Sequence, residues 1–104
     1  MRPAQAGEVL EWQDIVLDPE THRVTRSGVA LKLGPTEFRL LSCLMERPDR
    51  VFSREQLLDR VWGRDIYVDS RTVDVHVGRL RKALMATGGA DPLRTVRGAG
   101  YSLG

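Results

Sequence analysis

Apolar positions in the C-terminal half repeat with a helical period. Val73, Val77, Leu80 and Leu84 fall at spacings of four, three and four, one stripe of an α-helix over residues 70–86. Ser70 precedes the run, where a hydroxyl can cap a free backbone N–H. Opposite the stripe, at about 100° per residue, lie Arg71, Val75, Gly78, Arg79 and Lys82, with Arg81 and Asp74 on the flanks. One face must enter a core. The other is cationic, carries small or β-branched residues and has almost no acid to neutralise it. A helix that enters a DNA major groove needs such a face: cations for phosphates, an Arg for guanine, a methyl group for thymine. The plain alternative is a solvated helix, but solvated faces usually mix signs, with Glu four residues before Lys.

Upstream, short alternating runs predict strands. Residues 8–12 and 15–17 are joined by Gln13-Asp14, and Asp18-Pro19-Glu20-Thr21 is turn chemistry. Residues 22–26 and 29–33 flank Ser27-Gly28, a two-residue hairpin turn. Leu31 and Leu33 alternate with Lys32, so one face of this small antiparallel sheet is buried. Gly34-Pro35 starts a first helix in which Phe38, Leu40, Leu41, Leu44 and Met45 leave only Arg39, Ser42 and Glu46 as a polar stripe. Val51-Phe52 suits a brief extended contact. Ser53 followed by Gln56 is a capping-box pattern for a second helix, with Leu57, Leu58, Val61 and Trp62 as its apolar arc and Gly63 as its stop. The linker 64–69, with Ile66, Tyr67 and Val68, is longer than a minimal helix-turn-helix connection. Past the basic helix, 93–96 and 101–103 make a hairpin around Arg97-Gly98-Ala99-Gly100, with Arg97 at its base. The predicted order is sheet, three helices and a β-hairpin, an α+β winged helix-turn-helix. Arg97 could then reach a minor groove, whose narrow stretches concentrate negative potential.

Charge sharpens this picture. The 104 residues carry a net charge of only +2, yet residues 1–70 hold ten Lys/Arg against twelve Asp/Glu, and residues 71–104 hold six against two. A basic third on a slightly acidic body suits a directed polyanion site. The length suits one domain, residues 8–104, preceded by a linker or remnant at 1–7. No apolar run approaches a membrane span, so no membrane partner is expected. The single cysteine, Cys43, excludes an internal disulfide, sits among leucines as a packed hydrophobe, and makes a cytoplasmic location the simplest inference. Catalysis finds little support. His22 and His76 are the only histidines, no ligand spacing suggests a metal, and Gly98-Ala99-Gly100 lacks the third glycine and following helix of a nucleotide loop. No cofactor is expected. Two rivals remain, a winged-helix protein-interaction module without specific DNA readout, and a sequence-neutral DNA-binding protein.

Several blocks now line up. Gly34–Leu41, Ser53–Leu58, Val61–Gly63, Arg71–Val77, Arg79–Leu84 and Thr95–Tyr101 resemble, in order and spacing, the DNA-binding effector domain of the OmpR/PhoB family of two-component response regulators. Asp18-Pro19, Ser53-Arg54-Glu55 and Tyr67-Val68 lean toward the phosphate-regulon members, which implies a bacterial, phosphate-responsive activator. The resemblance implies a four-stranded N-terminal sheet, helix 70–86 in the major groove, wing 93–103 at the minor groove, and tandem head-to-tail binding to direct repeats. It implies base contacts by Asp74, Val75 and Arg79, and phosphate contacts by Trp62, Arg71, Thr72, His76, Arg81, Lys82 and Thr95. Arg97 would enter the minor groove. The linker 64–69 would meet the RNA polymerase σ subunit through Trp62, Gly63, Ile66, Val68 and Asp69. A sensor histidine kinase would act only through a receiver domain that this stretch has no room for. Gly78 stands where the phosphate-regulon pattern has a basic residue, and Asp69-Ser70 where it has two acids.

Overall fold

A computed structural model describes residues 8–63 and 68–104. Strands β1 (Leu10–Trp12), β2 (Ile15–Asp18), β3 (Arg23–Arg26) and β4 (Val29–Leu31) form an antiparallel sheet in sequential order. The register Ile15↔Arg26, Leu17↔Val24 and Val24↔Leu31 puts Ile15, Leu17 and Val24 on one buried face, as strand alternation requires. The predicted turns are in place. Ser27 and Gly28 both have positive φ, the pair a type I′ hairpin needs. The Asp18 carboxylate accepts from the N–H of Glu20 at 2.9 Å and of Thr21 at 3.4 Å.

Helix α1 (Pro35–Glu46) has Pro35 in its first turn and buries Phe38, Leu40, Leu41, Cys43, Leu44 and Met45. It is the central element, packed against β1, the later helices and the last strand. Helix α2 (Arg54–Leu57) opens on the predicted capping box. Ser53 Oγ accepts from Gln56 N at 3.1 Å, and Gln56 Oε1 accepts from Ser53 N at 2.9 Å. The predicted regular second helix does not continue. Leu58–Trp62 forms a π-helical turn that ends at Gly63, φ 71°. The wider turn still buries Leu57 and Val61, and Leu58 and Trp62 pack half-buried against the core, so the apolar arc survives the change of winding.

Helix α3 (Arg71–Met85) buries Val73, Val77, Leu80 and Leu84, the predicted stripe. Its predicted cap is not the one observed. Ser70 itself adopts helical angles, φ −59° and ψ −24°, so its hydroxyl cannot reach forward, and it makes no capping bond. Asp69 takes the role, its carboxylate accepting from Arg71 N at 2.8 Å. Strands β5 (Leu93–Val96) and β6 (Gly100–Leu103) form the C-terminal hairpin, paired Leu93↔Leu103 and Thr95↔Tyr101. Arg97 lies in the turn itself, not at the hairpin base. The extended contact expected at Phe52 is a bridge to Tyr101, with N–H···O bonds of 2.8 and 2.9 Å. A Cβ on Gly100 would stand 1.9 Å from Phe52 O, so only glycine lets this bridge close. The result is a winged helix-turn-helix with its wing sewn to the segment before α2.

Candidate nucleic-acid interface

The buried stripe of α3 fixes which residues it leaves outside. Arg71, Val75, Gly78, Arg79 and Lys82 are exposed, and Val75, half exposed at 53%, is an uncovered β-branched side chain amid cations. Arg79, Lys82 and the wing's Arg97 enter none of the ion pairs found among the described residues. Arg71 is only 3.8 Å from Asp69 Oδ2 and its side chain is 89% exposed, so solvent screens that pair. These four cations are available to an external anion.

The remaining site residues are tied into the protein. Asp74 Oδ1 accepts from Arg54 Nε at 2.8 Å and from the Tyr101 hydroxyl, joining α3, α2 and the wing. The bonds from Arg54 and Tyr101 outweigh partial burial and hold the Asp74 carboxyl below its ordinary range, so it is ionised. Arg81 reaches the wing, donating from Nη2 to Thr95 Oγ1 at 2.6 Å and to Leu93 O at 3.4 Å. Its Nε lies 3.0 Å from Asp91 Oδ2 but without hydrogen-bond alignment, an ion pair only. His76 Nδ1 meets Glu37 Oε1 at 2.5 Å, and its ring leans on Trp62 with centroids 5.4 Å apart. Thr72 and Val68 are half-buried, while Gly63 and Asp69 are exposed. Ile66 and Tyr67, with Arg64 and Asp65, lie outside the described residues. The wing and the start of α2 enclose a cleft of about 440 Å³ lined by Arg54, Arg97 and Gly98 among others.

Three positions were missed by sequence reasoning. Glu37 and Arg54 carry no local signal, because their partners lie 39 and 20 residues away. Arg26 did carry one. It shares the strand face of buried Val24 and is itself 7% exposed, with Nη1 donating to Leu84 O at 2.7 Å near the C-terminus of α3. No group of three or more His, Cys, Asp or Glu suited to a metal occurs among the described residues, and no helix of those residues is long and apolar enough to cross a membrane.

A profile of the family described as "Transcriptional regulatory protein, C terminal" matches residues 28–103. The phosphate regulon transcriptional regulatory protein PhoB of Rhizobium meliloti is 65% identical over 102 residues, covering 98% of this chain and 45% of that protein. The chain belongs to the OmpR/PhoB family. Another family member, PhoB of Escherichia coli, is 54% identical over 99 residues, 95% of this chain and 43% of its own. The chain thus spans less than half the length of these curated relatives. Among solved structures of OmpR/PhoB type, the DNA-binding domain of response regulator AdeR in complex with an intercistronic region superposes with TM-score 0.82 at 35% identity, covering 89% of this chain and 96% of that one.

Proposed function

We propose that residues 8–104 form the effector domain of a two-component response regulator that binds double-stranded DNA by sequence and controls phosphate-responsive transcription. One observation carries the reading: an exposed helix face with free cations around an uncovered valine, beside a wing whose turn holds a free arginine. α3 lies in the major groove. Arg79 reads guanine, Val75 meets a thymine methyl, and Asp74 contributes a further base contact from the edge of the face. Arg71, Lys82, Thr72, His76, Trp62 and the Arg81–Thr95 pair contact phosphates, and Arg97 enters the minor groove. Two copies bind head-to-tail on direct repeats about one helical turn apart, which keeps both α3 helices on one DNA face. The segment 64–69, with Trp62, Gly63, Ile66, Val68 and Asp69, meets the polymerase σ subunit. Phosphorylation by a sensor kinase reaches the domain through a receiver in the full-length regulator. The relatives' phosphate-regulon names and the AdeR–DNA complex support the assignment.

Selection from a random duplex pool tests it, followed by titration of the selected and a scrambled duplex at two salt concentrations. The expected winner is a direct repeat, with a log–log salt slope near about −4 to −5 for roughly five phosphate contacts. Equal binding of both duplexes would make the domain sequence-neutral. No binding to either would favour a protein-interaction module.

A further inference from the structure

The two oxygens of Asp74, on the flank of the outer face of α3, are in different states. Oδ1 accepts from Arg54 Nε at 2.8 Å and from the Tyr101 hydroxyl. Oδ2 makes no hydrogen bond among the described residues, and it is not one of their sealed side-chain atoms. The side chain as a whole is 37% exposed, so this oxygen is open to a partner. Both donors to Oδ1 are themselves fixed. Arg54 opens α2, directly after the serine of the capping box. Tyr101 is buried, and its backbone is bonded both ways to Phe52 at 2.8 and 2.9 Å. Two elements outside α3 therefore restrain one of its side chains, as precise recognition of a ligand atom requires. Arg54 also sets a positive charge against a carboxylate that would otherwise repel a polyanion.

An ionised carboxylate has no proton to give, so the free oxygen can only accept. In the major groove guanine presents N7 and O6 and thymine presents O4, all acceptors that repel it. Cytosine N4 and adenine N6 present amino hydrogens. Beside its amino group adenine carries N7, another acceptor, whereas cytosine carries a C–H there. A carboxylate with one oxygen already engaged is thus matched to cytosine.

We propose that Asp74 accepts from the 4-amino group of a cytosine through Oδ2, and that Arg54 and Tyr101 are the positioning residues for this readout, holding Oδ1 and leaving one oxygen for the base. This rests on the DNA-binding reading above and on the base contact given there to Asp74. Arg54 and Tyr101 act through Asp74, and neither touches the base.

The test starts on the DNA, where no protein variant is needed. Each cytosine of the selected repeat is replaced in turn by 2-pyrimidinone, which is cytosine without its 4-amino group. At one position the parent chain should lose about tenfold in affinity, the worth of a hydrogen bond to a charged group. Asp74→Ala, which lacks the acceptor, should lose no more than about twofold at that position. Tyr101→Phe keeps the ring and should lower the preference for cytosine over 2-pyrimidinone there about threefold, with affinity for the scrambled duplex unchanged. Arg54→Met should lower it similarly and also weaken both duplexes, because the carboxylate then meets the phosphates uncompensated. A merely structural role for Tyr101 would move the thermal midpoint and leave the base preference alone. A scan in which no cytosine costs the parent more than about twofold, or in which Asp74→Ala suffers the same losses, would overturn the proposal while leaving the DNA-binding reading intact. So would an unchanged cytosine preference in Tyr101→Phe. Failure to select any duplex would overturn both.

Discussion

Helix α3 carries two populations of charge that composition counts alike. On its outer face Arg71, Arg79 and Lys82, with Arg97 of the wing, keep their charge for an external partner. Along its seam with the rest of the fold the charges are spent internally: Arg54 and Tyr101 on Asp74, Arg81 on Thr95 and Asp91, and Arg26 on Asp14 and the Leu84 carbonyl. The seam ties the sheet, α2 and the wing to one helix, so the outer face is presented on a rigid support. A count of the sixteen Lys and Arg residues therefore overstates the cations available to DNA. The outer face should govern affinity and readout, and the seam should govern stability.

The largest expected effect tests the seam. Arg26→Met keeps bulk but leaves the Leu84 carbonyl without its donor and Asp14 without its guanidinium. Hydrogen bonds to charged groups of this kind are worth about 1.5–3 kcal/mol. A domain of this size should then melt roughly 6–20 °C lower. DNA affinity of the folded fraction should stay parental. Loss of affinity at unchanged thermal midpoint would place Arg26 with the outer face instead.

Substitution on the outer face should do the reverse. Arg79→Ala should cost about 1–3 kcal/mol of discrimination between selected and scrambled duplexes, with stability within about 0.5 kcal/mol of the parent. Arg71→Ala, at the N-terminal end of the face, should weaken both duplexes alike. Exchange of these two phenotypes would mean that the face docks in another register.

Gly78 offers a smaller gain of the same kind. A Cβ there meets nothing within 4 Å, so a longer side chain fits without rearrangement. Gly78→Arg should tighten binding to every duplex and steepen the salt slope by about one unit. Removing a mid-helix glycine should also stabilise α3 by up to about 1 kcal/mol. Unchanged affinity would mean that position 78 faces away from the phosphates.

The outer face is legible in the sequence, and the seam is not. Period and sign read along fifteen residues are local facts, and the stripe Val73, Val77, Leu80, Leu84 fixed the exposed register directly. The hairpin turn at Ser27-Gly28 and the capping box at Ser53–Gln56 are local too, and both were found. Seam pairs join residues 10 to 58 positions apart, where no period operates. The π-helical turn and the transfer of the cap from Ser70 to Asp69 escaped for another reason. Each depends on backbone angles that several sequences tolerate, and the segment's packing decides between them.

The smallest effect expected concerns acid, and its sign separates the two charge populations once more. Glu37 and Asp74 both sit below their ordinary carboxyl ranges in the folded chain. A depressed folded value adds stability above the unfolded one, and that stability is lost as pH falls through the folded value. For Glu37 the loss therefore begins below about its ordinary 4.5 and is complete only below its folded value. Acid should therefore loosen the seam, where these two carboxylates lie. Thermal midpoints measured from pH 6 to pH 2.5 should fall for the parent and fall less steeply for Glu37→Gln, which has no carboxyl to protonate there. Asp74→Asn should flatten the curve less, because its side chain is 37% exposed and water already screens its partners. Parallel curves for the parent and Glu37→Gln would show that the Glu37–His76 contact adds nothing to the seam, which would then rest on the Arg26, Arg81 and Asp74 ties.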